Sequence, residues 1–444
     1  MEKLFEKKLS KIIEYGMYLL AFVLPWQTRW IIKPGMINNG YSEYLTISLY
    51  VVDVLVVLLI IFWAVYKFNK GIKDNKINIF WWLVAGLELA IFISIFFACD
   101  KGLAIFYYLR FLLAIGFLWL VASVSYNEAK FILSLLAGIF IQACLAIWQF
   151  LTQDSFSCKW LGLTGHWAGN LGASVVEAGG ERWLRAYGGM DHPNIFGGVM
   201  AVGIILAILF ELGFFGKKNS VKLSSLLKIF NLVFFVALFF SFSRNAWLGL
   251  VFGLVGLLVL SLPGKKLINQ KIILEYLVCF FILLFVLLSQ FGGLAGIRIS
   301  GEGRIENQSI NERVASNKEA TEIIKDNFFF GLGIGNYILE QKNRDTMNRS
   351  SWEYQPAHNT YFLIWSEIGI IGLLFFISII AFLIWALFFQ SSQEFFIVLI
   401  LIPTAMFLFD HWWWSLHFGV IFMALIGGIV FRKIKMIEQN KKTE

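Results

Sequence analysis

Charged side chains are scarce in this chain, since Asp, Glu, Lys and Arg make up 15% of its 444 residues, whereas about 25% is usual in soluble domains. Hydrophobic residues make up 59%, more apolar surface than a soluble fold can bury. The polar and apolar alternation of barrel strands is also missing. The apolar runs are instead roughly 20 residues long, the length of helix that crosses the hydrocarbon core. The sequence therefore predicts an all-α polytopic membrane protein.

Cysteine is nearly absent, and its four residues, Cys99, Cys144, Cys158 and Cys279, form no CxxC pair and no metal-ligand spacing. We expect them to pack as small apolar residues. The sequence also lacks HExxH and GxSxG, and the loops predicted to face outward lack a cluster of acidic residues that would hold magnesium. These absences favour a reaction that uses neither a metal nor a cofactor.

About twelve apolar segments predict the membrane spans. They cover roughly residues 12–27, 45–66, 79–98, 105–123, 131–151, 194–213, 229–243, 245–262, 272–290, 359–389, 395–410 and 415–431. We predict one membrane domain over residues 1–444, with long loops at residues 152–193 and 291–358. In the second loop, Ile310 and Val314 recur near helical spacing, which predicts an amphipathic helix over residues 310–325. The loops should thus form a partly helical cap.

Lysine and arginine are distributed unevenly along the chain. With the N-terminus inside, the short inner segments hold 21 basic residues and the short outer segments hold four. The positive-inside rule then predicts that both termini are cytoplasmic. The net charge of +8 thus reflects topology and gives no reason to expect nucleic acid. Long loops cross regardless of charge, so the eight basic residues of the loop at residues 291–358 need another explanation.

Four ionisable residues fall inside predicted spans: Asp53, Glu88, Arg110 and Glu367. A charge in the membrane is costly unless it is paired or hydrated. We expect Arg110 to form a structural ion pair with a carboxylate of a neighbouring helix. A proton or ion pathway in a transporter, and a wall of a substrate cavity, are the alternatives.

Three segments from distant parts of the chain reach the predicted outer interface. RAYGGMDHPNIFGG (185–198) contains Arg185, SFSRNAWLGL (241–250) contains Arg244, and QPAHNTYF (355–362) contains His358. Taken singly, each has a plain explanation, such as an arginine that binds lipid phosphate. Together they suit a diphosphate leaving group, because the planar guanidinium binds phosphate oxygens with two hydrogen bonds. Histidine can accept a proton from an attacking hydroxyl near neutral pH.

Other polar motifs have simpler interpretations. GLGIGNY (331–337) has spaced glycines but no neighbouring βαβ unit, so we expect a turn or a close backbone contact. DHWWWS (410–415) is typical of an interfacial aromatic anchor, which makes His411 a secondary candidate. His192 precedes Pro193 and should cap the sixth span.

With ERVASNKEATEIIKDNFFFGLGIGNY (312–337) and AHNTYFLIWSEIGIIGLLFF (357–376), these segments in this order resemble the O-antigen ligase and O-antigen polymerase superfamily. The resemblance covers a core of about residues 185–380, and the twelve-helix layout fits the rest. The sequence departs from the family pattern at Phe328, where a proline is expected, which affects the shape of the loop more than the chemistry.

The resemblance implies a GT-C type membrane fold and an inverting glycosyltransferase. Such an enzyme moves a saccharide from undecaprenyl diphosphate to an acceptor hydroxyl on the outer face of the cytoplasmic membrane, during synthesis of lipopolysaccharide or another surface polysaccharide. Arg185 and Arg244 would hold the donor diphosphate, and His358 would be the catalytic residue that activates the acceptor. The further substrate-binding candidates are Arg313, Asn194 and Asn359. The acceptor would be a glycan, a lipid A core or a protein, with membrane lipid around the bundle.

Two other classes of function remain open at this point. A transporter or flippase of a lipid-linked or polar substrate would explain the intramembrane charges, although no matching pair of interrupted spans is visible. A membrane scaffold without catalysis would leave the glycan products unchanged when the outer arginines are replaced.

Overall fold

The computed structural model describes residues 2–70, 78–170, 172–216, 220–262, 267–301, 303–347, 349–390 and 393–440. Its helices are α1 Glu2–Val23, α2 Val51–Lys70, α3 Ile79–Ser94, α4 Lys101–Ser123, α5 Glu128–Thr152, α6 Pro193–Glu211, α7 Val221–Phe240, α8 Arg244–Ser261, α9 Leu267–Ser300, α10 Arg304–Asp326, α11 Tyr337–Arg344, α12 Thr360–Trp385, α13 Val398–Met406, α14 Trp412–Ser415 and α15 His417–Asn440. The strands are β1 Arg29–Lys33, β2 Met36–Ile37, β3 Gly40–Tyr41, β4 Ile47–Tyr50, β5 Asp154–Ser155, β6 His166–Trp167, β7 Val175–Ala178 and β8 Glu181–Leu184.

Ten helical segments of the described chain are long and apolar enough to cross a membrane, which confirms the all-α polytopic class. The two other predicted spans fall on α1 and α13. The first turns of α1 are charged, and the apolar helix that includes α13 covers only Glu394–Met406. The predicted span at residues 45–66 begins too early, because residues Ile47–Tyr50 form β4 and α2 starts at Val51.

Helix α6 forms the centre of the bundle. All its residues from Pro193 to Phe210 are buried, and it packs against α5, α7 and α8. A side chain at Gly197 or Gly198 would meet Ala246 or Trp412 at 2.8 Å, so the close packing depends on these glycines. The outer helices instead expose large apolar residues such as Phe285, 70% exposed, as expected of a lipid-facing surface.

One end of the bundle, called the loop end below, carries residues 24–50, 153–170, 172–192, 301, 303–347, 349–359 and 407–416. Its strands form four two-stranded antiparallel sheets, which pair β1 with β4, β2 with β3, β5 with β6, and β7 with β8. Helix α9 is kinked at Phe291 (φ −120°, ψ 17°) and continues into this region. Helix α10 buries Ala320, Ile323 and Ile324 there. The cap is thus helical in part, as predicted, and also contains hairpins that the sequence analysis did not predict.

Helix α12 is interrupted at Gly369, which adopts φ +71° and ψ 179°. A side chain here would lie 2.0 Å from the carbonyl oxygen of Phe329. The loop that contains the glycines of GLGIGNY fills the interruption. Leu332 and Gly333 donate backbone hydrogen bonds to the carbonyls of Ser366 and Glu367, at 2.9 and 3.0 Å. The predicted close backbone contact of GLGIGNY is therefore confirmed, and the backbone groups freed by the break are satisfied by protein.

The aromatic run at residues 412–414 is not an interfacial anchor, and that interpretation was wrong. Trp412, Trp413 and Trp414 are at most 1% exposed. The indole N–H of Trp414 donates to the Glu367 carboxylate at 2.8 Å, and the indoles of Trp412 and Trp413 stack with ring centroids 4.0 Å apart. The short α14 turns the tryptophans inward, so they fill the bundle beneath the loop end.

Arg110 forms no ion pair with any carboxylate among the described residues, contrary to expectation. It lies over the rings of Phe106 and Tyr107, with its guanidinium carbon 4.8 and 4.9 Å from the ring centroids. Asp53 instead contacts His417 at 2.5 Å. Both oxygens of the Glu88 carboxylate are buried without a hydrogen-bond partner.

Candidate active site

The C-terminal end of α13, at the loop end, is a junction on which three helix N-termini converge. Asn194, near the start of α6, donates to the Asp410 carboxylate at 2.9 Å. Asn245, near the start of α8, donates to the Met406 carbonyl at 3.0 Å. Thr360, the first residue of α12, donates its backbone N–H to Phe407 at 2.8 Å and its hydroxyl to the Asp410 carbonyl at 2.6 Å. The positive ends of three helix dipoles therefore lie together, an arrangement that favours a bound anion.

Arg185 follows β8 and is 4% exposed. Its Nε donates to the Ser241 carbonyl at 2.7 Å and its Nη2 to Asn194 Oδ1 at 2.8 Å. Burial, followed by the charges of Arg298 and Arg313, lowers the pKa of Arg185, but a guanidinium still remains protonated. The side chain is thus a fixed, buried cation that forms no ion pair with a carboxylate among the described residues.

Arg298, which the sequence analysis did not single out, lies beside Arg185. Its Nε donates to the Phe242 carbonyl at 3.0 Å, next to the carbonyl that Arg185 binds, and its Nη1 pairs with Glu306 at 3.1 Å. Both side chains of this ion pair are nearly inaccessible to solvent. The carbonyls at the C-terminal end of α7 therefore attract two arginines, as the helix dipole predicts.

Arg244 and Arg313 complete a cluster of four arginines. Neither side chain makes a hydrogen bond or an ion pair within the described residues, and the Nε of Arg313 is buried without a partner. Arg298 and Arg313 both lie close enough to Arg244 for their positive charges to repel its guanidinium. Among the described residues, Glu306 alone pairs with a member of this cluster, so the described site has an excess of positive charge that an anion would neutralise.

His358 is half-buried immediately before α12. Its backbone N–H donates to Ser316 Oγ of α10 at 3.2 Å, and α10 also carries Arg313 one turn earlier. Burial is the main cause that lowers the pKa of His358, and Arg313 acts in the same direction while Asp410 opposes it. Burial and Arg313, and not Arg185 or Arg244, therefore favour the neutral imidazole of His358.

Asp410 and His411 lie against His358. The ring centroids of His358 and His411 are 5.1 Å apart. One atom of each of the three side chains that could bind a metal lies within 4.8 Å of the other two. Burial alone would raise the pKa of the Asp410 carboxyl, but His411, His358 and Arg313 lower it below its ordinary value. Burial lowers the pKa of His411 to about 3. At neutral pH the group consists of two uncharged imidazoles and one carboxylate.

The two asparagine candidates also stabilise the framework of the site. Asn194 links Arg185 to Asp410 through its two amide atoms. Asn359 caps α12, since its side chain accepts hydrogen bonds from the backbone of Tyr361 and Phe362. His192 caps α6 by accepting from Asn194 N, which confirms the prediction made for it. These contacts tie the N-terminus of α6 to Arg185 and Asp410 and hold the first turn of α12.

The sequence did not reveal three features of the site. These are Arg298, Asp410 and the closeness of His411 to His358. The signal for Arg298 was the excess of basic residues in a long loop, where topology does not require them. Asp410 stands between two apolar segments, and a carboxylate there needs partners. The tryptophans that follow led us to interpret the whole run as an anchor instead.

Residues 229–377 match the family model described as O-antigen ligase. The match begins in α7 and ends in α12, and therefore includes Arg244, Arg298, Arg313 and His358. It confirms the resemblance to the O-antigen ligase and polymerase superfamily. Among curated proteins and among solved structures, none matches this chain significantly.

Proposed function

We propose that this chain, a protein of the O-antigen ligase and polymerase superfamily, is an inverting glycosyltransferase that requires no metal. It would transfer a saccharide from undecaprenyl diphosphate to an acceptor hydroxyl. The observation that carries the proposal is the combination of Arg185, Arg244 and Arg313, all cations without a carboxylate partner in the described chain, with the uncharged His358 beside Arg313.

The arginines would bind the donor diphosphate. Arg185 is held by Ser241 and Asn194 through Nε and Nη2, which fixes the plane of its guanidinium before substrate arrives. Donors held in place in a site shielded from water stabilise charge without reorganisation. As the bond between the anomeric carbon and the diphosphate oxygen breaks, the leaving group gains negative charge, and the cluster is positioned to stabilise it.

His358 would act as the general base. The acceptor oxygen forms a bond to the anomeric carbon on the face opposite the diphosphate, and its proton passes to a ring nitrogen of His358. Neither ring nitrogen of His358 has a hydrogen-bond partner among the described residues, and Nδ1 is buried. Asp410 would stabilise the imidazolium that forms, since its charge favours protonated His358. Asp410 is itself held by Asn194 and by the backbone of His411.

The proposed site faces outward across the cytoplasmic membrane, with both termini in the cytoplasm. The support is the excess of lysine and arginine in the short segments at the opposite end of the bundle. A donor on the outer leaflet would then approach the loop end from the bilayer. The acceptor would be a lipid A core, a second lipid-linked glycan or a protein hydroxyl, as for other ligases and polymerases.

The transporter alternative has less support. Helix α12 is interrupted, as in many transporters, but the freed carbonyls of Ser366 and Glu367 accept hydrogen bonds from Leu332 and Gly333. No matching break is seen in a related half of the described chain. The interruption is therefore a packed joint that leaves no open coordination for an ion.

The experiment is a transfer assay with purified protein, lipid-linked glycan and acceptor in the presence of EDTA. Replacing His358 with alanine should slow transfer by about 10²- to 10⁴-fold, the usual contribution of general-base catalysis, while donor binding persists. His166→Ala is the matched control, because His166 also lies at the loop end but stacks on Tyr187 and is not part of the group formed by His358, Asp410 and His411. A His358→Ala rate within threefold of wild type, or loss of wild-type transfer in EDTA, would refute the proposed mechanism.

A further inference from the structure

His358, Asp410 and His411 are side chains of the types that bind metal ions. The proposed general-base mechanism uses His358 and Asp410 but gives no role to His411. We infer that these three residues form a binding site for a divalent transition-metal ion such as Zn²⁺, and that the bound ion reversibly inhibits transfer. The inhibitory part rests on the proposed function, whereas metal binding stands on the geometry alone. The ligand atoms of the three side chains lie within 4.8 Å of one another.

Each side chain has an atom free for a metal. His358 makes no side-chain hydrogen bond within the described residues, and its Nδ1 is buried and unsatisfied. The Nδ1 of His411 is 2.8 Å from Ser415 Oγ, so its Nε2 is the nitrogen left to coordinate an ion. Metal-bound histidines usually have their second nitrogen hydrogen-bonded in this way, because it fixes the ring and the tautomer.

The carboxylate is supported in the same manner. Asp410 Oδ2 accepts from Asn194 at 2.9 Å and Oδ1 from the His411 backbone at 2.9 Å, and each oxygen retains a lone pair. Two imidazoles and a carboxylate are ligands that zinc and the neighbouring metals accept.

The geometry requires only a small adjustment. With zinc to nitrogen distances near 2.0 Å, ligand atoms of a tetrahedral site lie about 3.3 Å apart. The cluster would contract by at most about 1.5 Å, and His358, which is half-buried and lacks side-chain hydrogen bonds, is free to make that movement. The nearby charge of Arg313 and the positive ends of α6 and α12 at Asp410 oppose a cation. We therefore expect binding weaker than that of a structural zinc site.

A bound ion should inhibit transfer because it would occupy the lone pair of the His358 ring nitrogen that accepts the proton. A ring nitrogen of His358 can hold the acceptor's proton or coordinate a metal, but it cannot do both. A bound ion also neutralises the Asp410 charge that stabilises the imidazolium. Transfer should therefore fall as zinc is added and return when EDTA removes it.

The direct test measures binding without substrate. Purified full-length protein in detergent is dialysed against Zn²⁺, and bound metal is quantified by atomic absorption. We expect one zinc per chain in the wild type and at least a tenfold loss of affinity in His411→Ala and Asp410→Asn, with His166→Ala unchanged. X-ray absorption at the zinc edge of the wild type should show two imidazole ligands, a result that does not depend on how well a variant folds.

The outcomes separate the two proposals. Absence of stoichiometric zinc, a wild-type spectrum without imidazole ligands, or equal binding in folded His411→Ala and Asp410→Asn would overturn the metal site and leave the general base untouched. Zinc that binds at the site without slowing transfer would overturn inhibition. Zinc that activates transfer would overturn inhibition and the general-base mechanism together. If zinc binds but His358→Ala transfers at the wild-type rate, the general-base mechanism fails and the metal site remains.

Discussion

Replacing Arg185 with lysine keeps the positive charge and removes the guanidinium fork. In the wild type, Nε and Nη2 bind the Ser241 carbonyl and Asn194 Oδ1 at the same time, and the remaining N–H groups are available for phosphate oxygens. A lysine has a single nitrogen, so it cannot hold both anchors and still present donors in one plane. We expect the Arg185→Lys protein to lose activity even though its charge is unchanged.

The size of the loss follows from the contacts given up. A hydrogen bond to a charged group contributes about 1.5–3 kcal/mol. If one such bond to the diphosphate is lost in the transition state, kcat/KM falls by about 10- to 150-fold, since about 1.4 kcal/mol corresponds to a factor of ten. The buried acceptor left at Ser241 or Asn194 adds a cost to folding, which is measured separately by thermal unfolding in detergent.

The matched control is Arg182→Lys. Arg182 lies three residues earlier, on β8, and its Nε is 3.8 Å from the Glu177 carboxylate. Both variants enter the in vitro transfer assay, with donor binding measured in parallel. Arg182→Lys should match the wild type. If Arg185→Lys also turns over donor within threefold of the wild-type rate, charge alone suffices and the argument from two-point binding is refuted.

Three further predictions concern pH, packing and topology. Because the pKa of His358 is lowered below 6.5, the base stays unprotonated to lower pH than a free histidine. The acid limb of kcat/KM should therefore have its midpoint below pH 6.5, and a midpoint above that value would contradict the environment described. Gly369→Ala should lower the free energy of unfolding by about 1–3 kcal/mol, because the backbone conformation of Gly369 is essentially restricted to glycine. Gly293→Ala is the control. Its side chain would meet nothing within 4 Å, so this variant should unfold like the wild type. In a cysteine-free background of intact cells, an impermeant thiol reagent should label Ser350→Cys and not Lys222→Cys; the reverse pattern would invert the proposed orientation.

The membrane-spanning helices could be predicted because the length of each apolar run is visible in the sequence. The predicted end of the ninth span at residue 290 coincides with the kink at Phe291, and α10 covers the predicted amphipathic stretch. The hairpins of the loop end were not predicted, because two-residue strands such as β2 and β3 carry almost no periodic signal. Their pairing depends on contacts between segments far apart in sequence.

The candidate site was predictable only where a residue type itself signals chemistry. Arg185, Arg244 and His358 stood out as polar residues at span ends. Asp410 did not, because its role comes from the hydrogen bond with Asn194, 216 positions away in the chain. The expected pairing of Arg110 was wrong for a related reason, since the depth of a residue in the membrane does not determine which face of its helix it occupies.

The joint at Gly369 imposes an order on assembly. While α12 is inserted into the bilayer without its partner loop, the carbonyls of Ser366 and Glu367 have no donors, and an unsatisfied polar group in hydrocarbon costs several kcal/mol. The donors, Leu332 and Gly333, precede α12 in the chain, so they have already been synthesised when the helix enters the membrane. Correct insertion of α12 should therefore depend on the loop that precedes it in the chain. Lesions in residues 328–333 should consequently appear as degradation of the whole protein during biogenesis, before any defect in transfer can be observed.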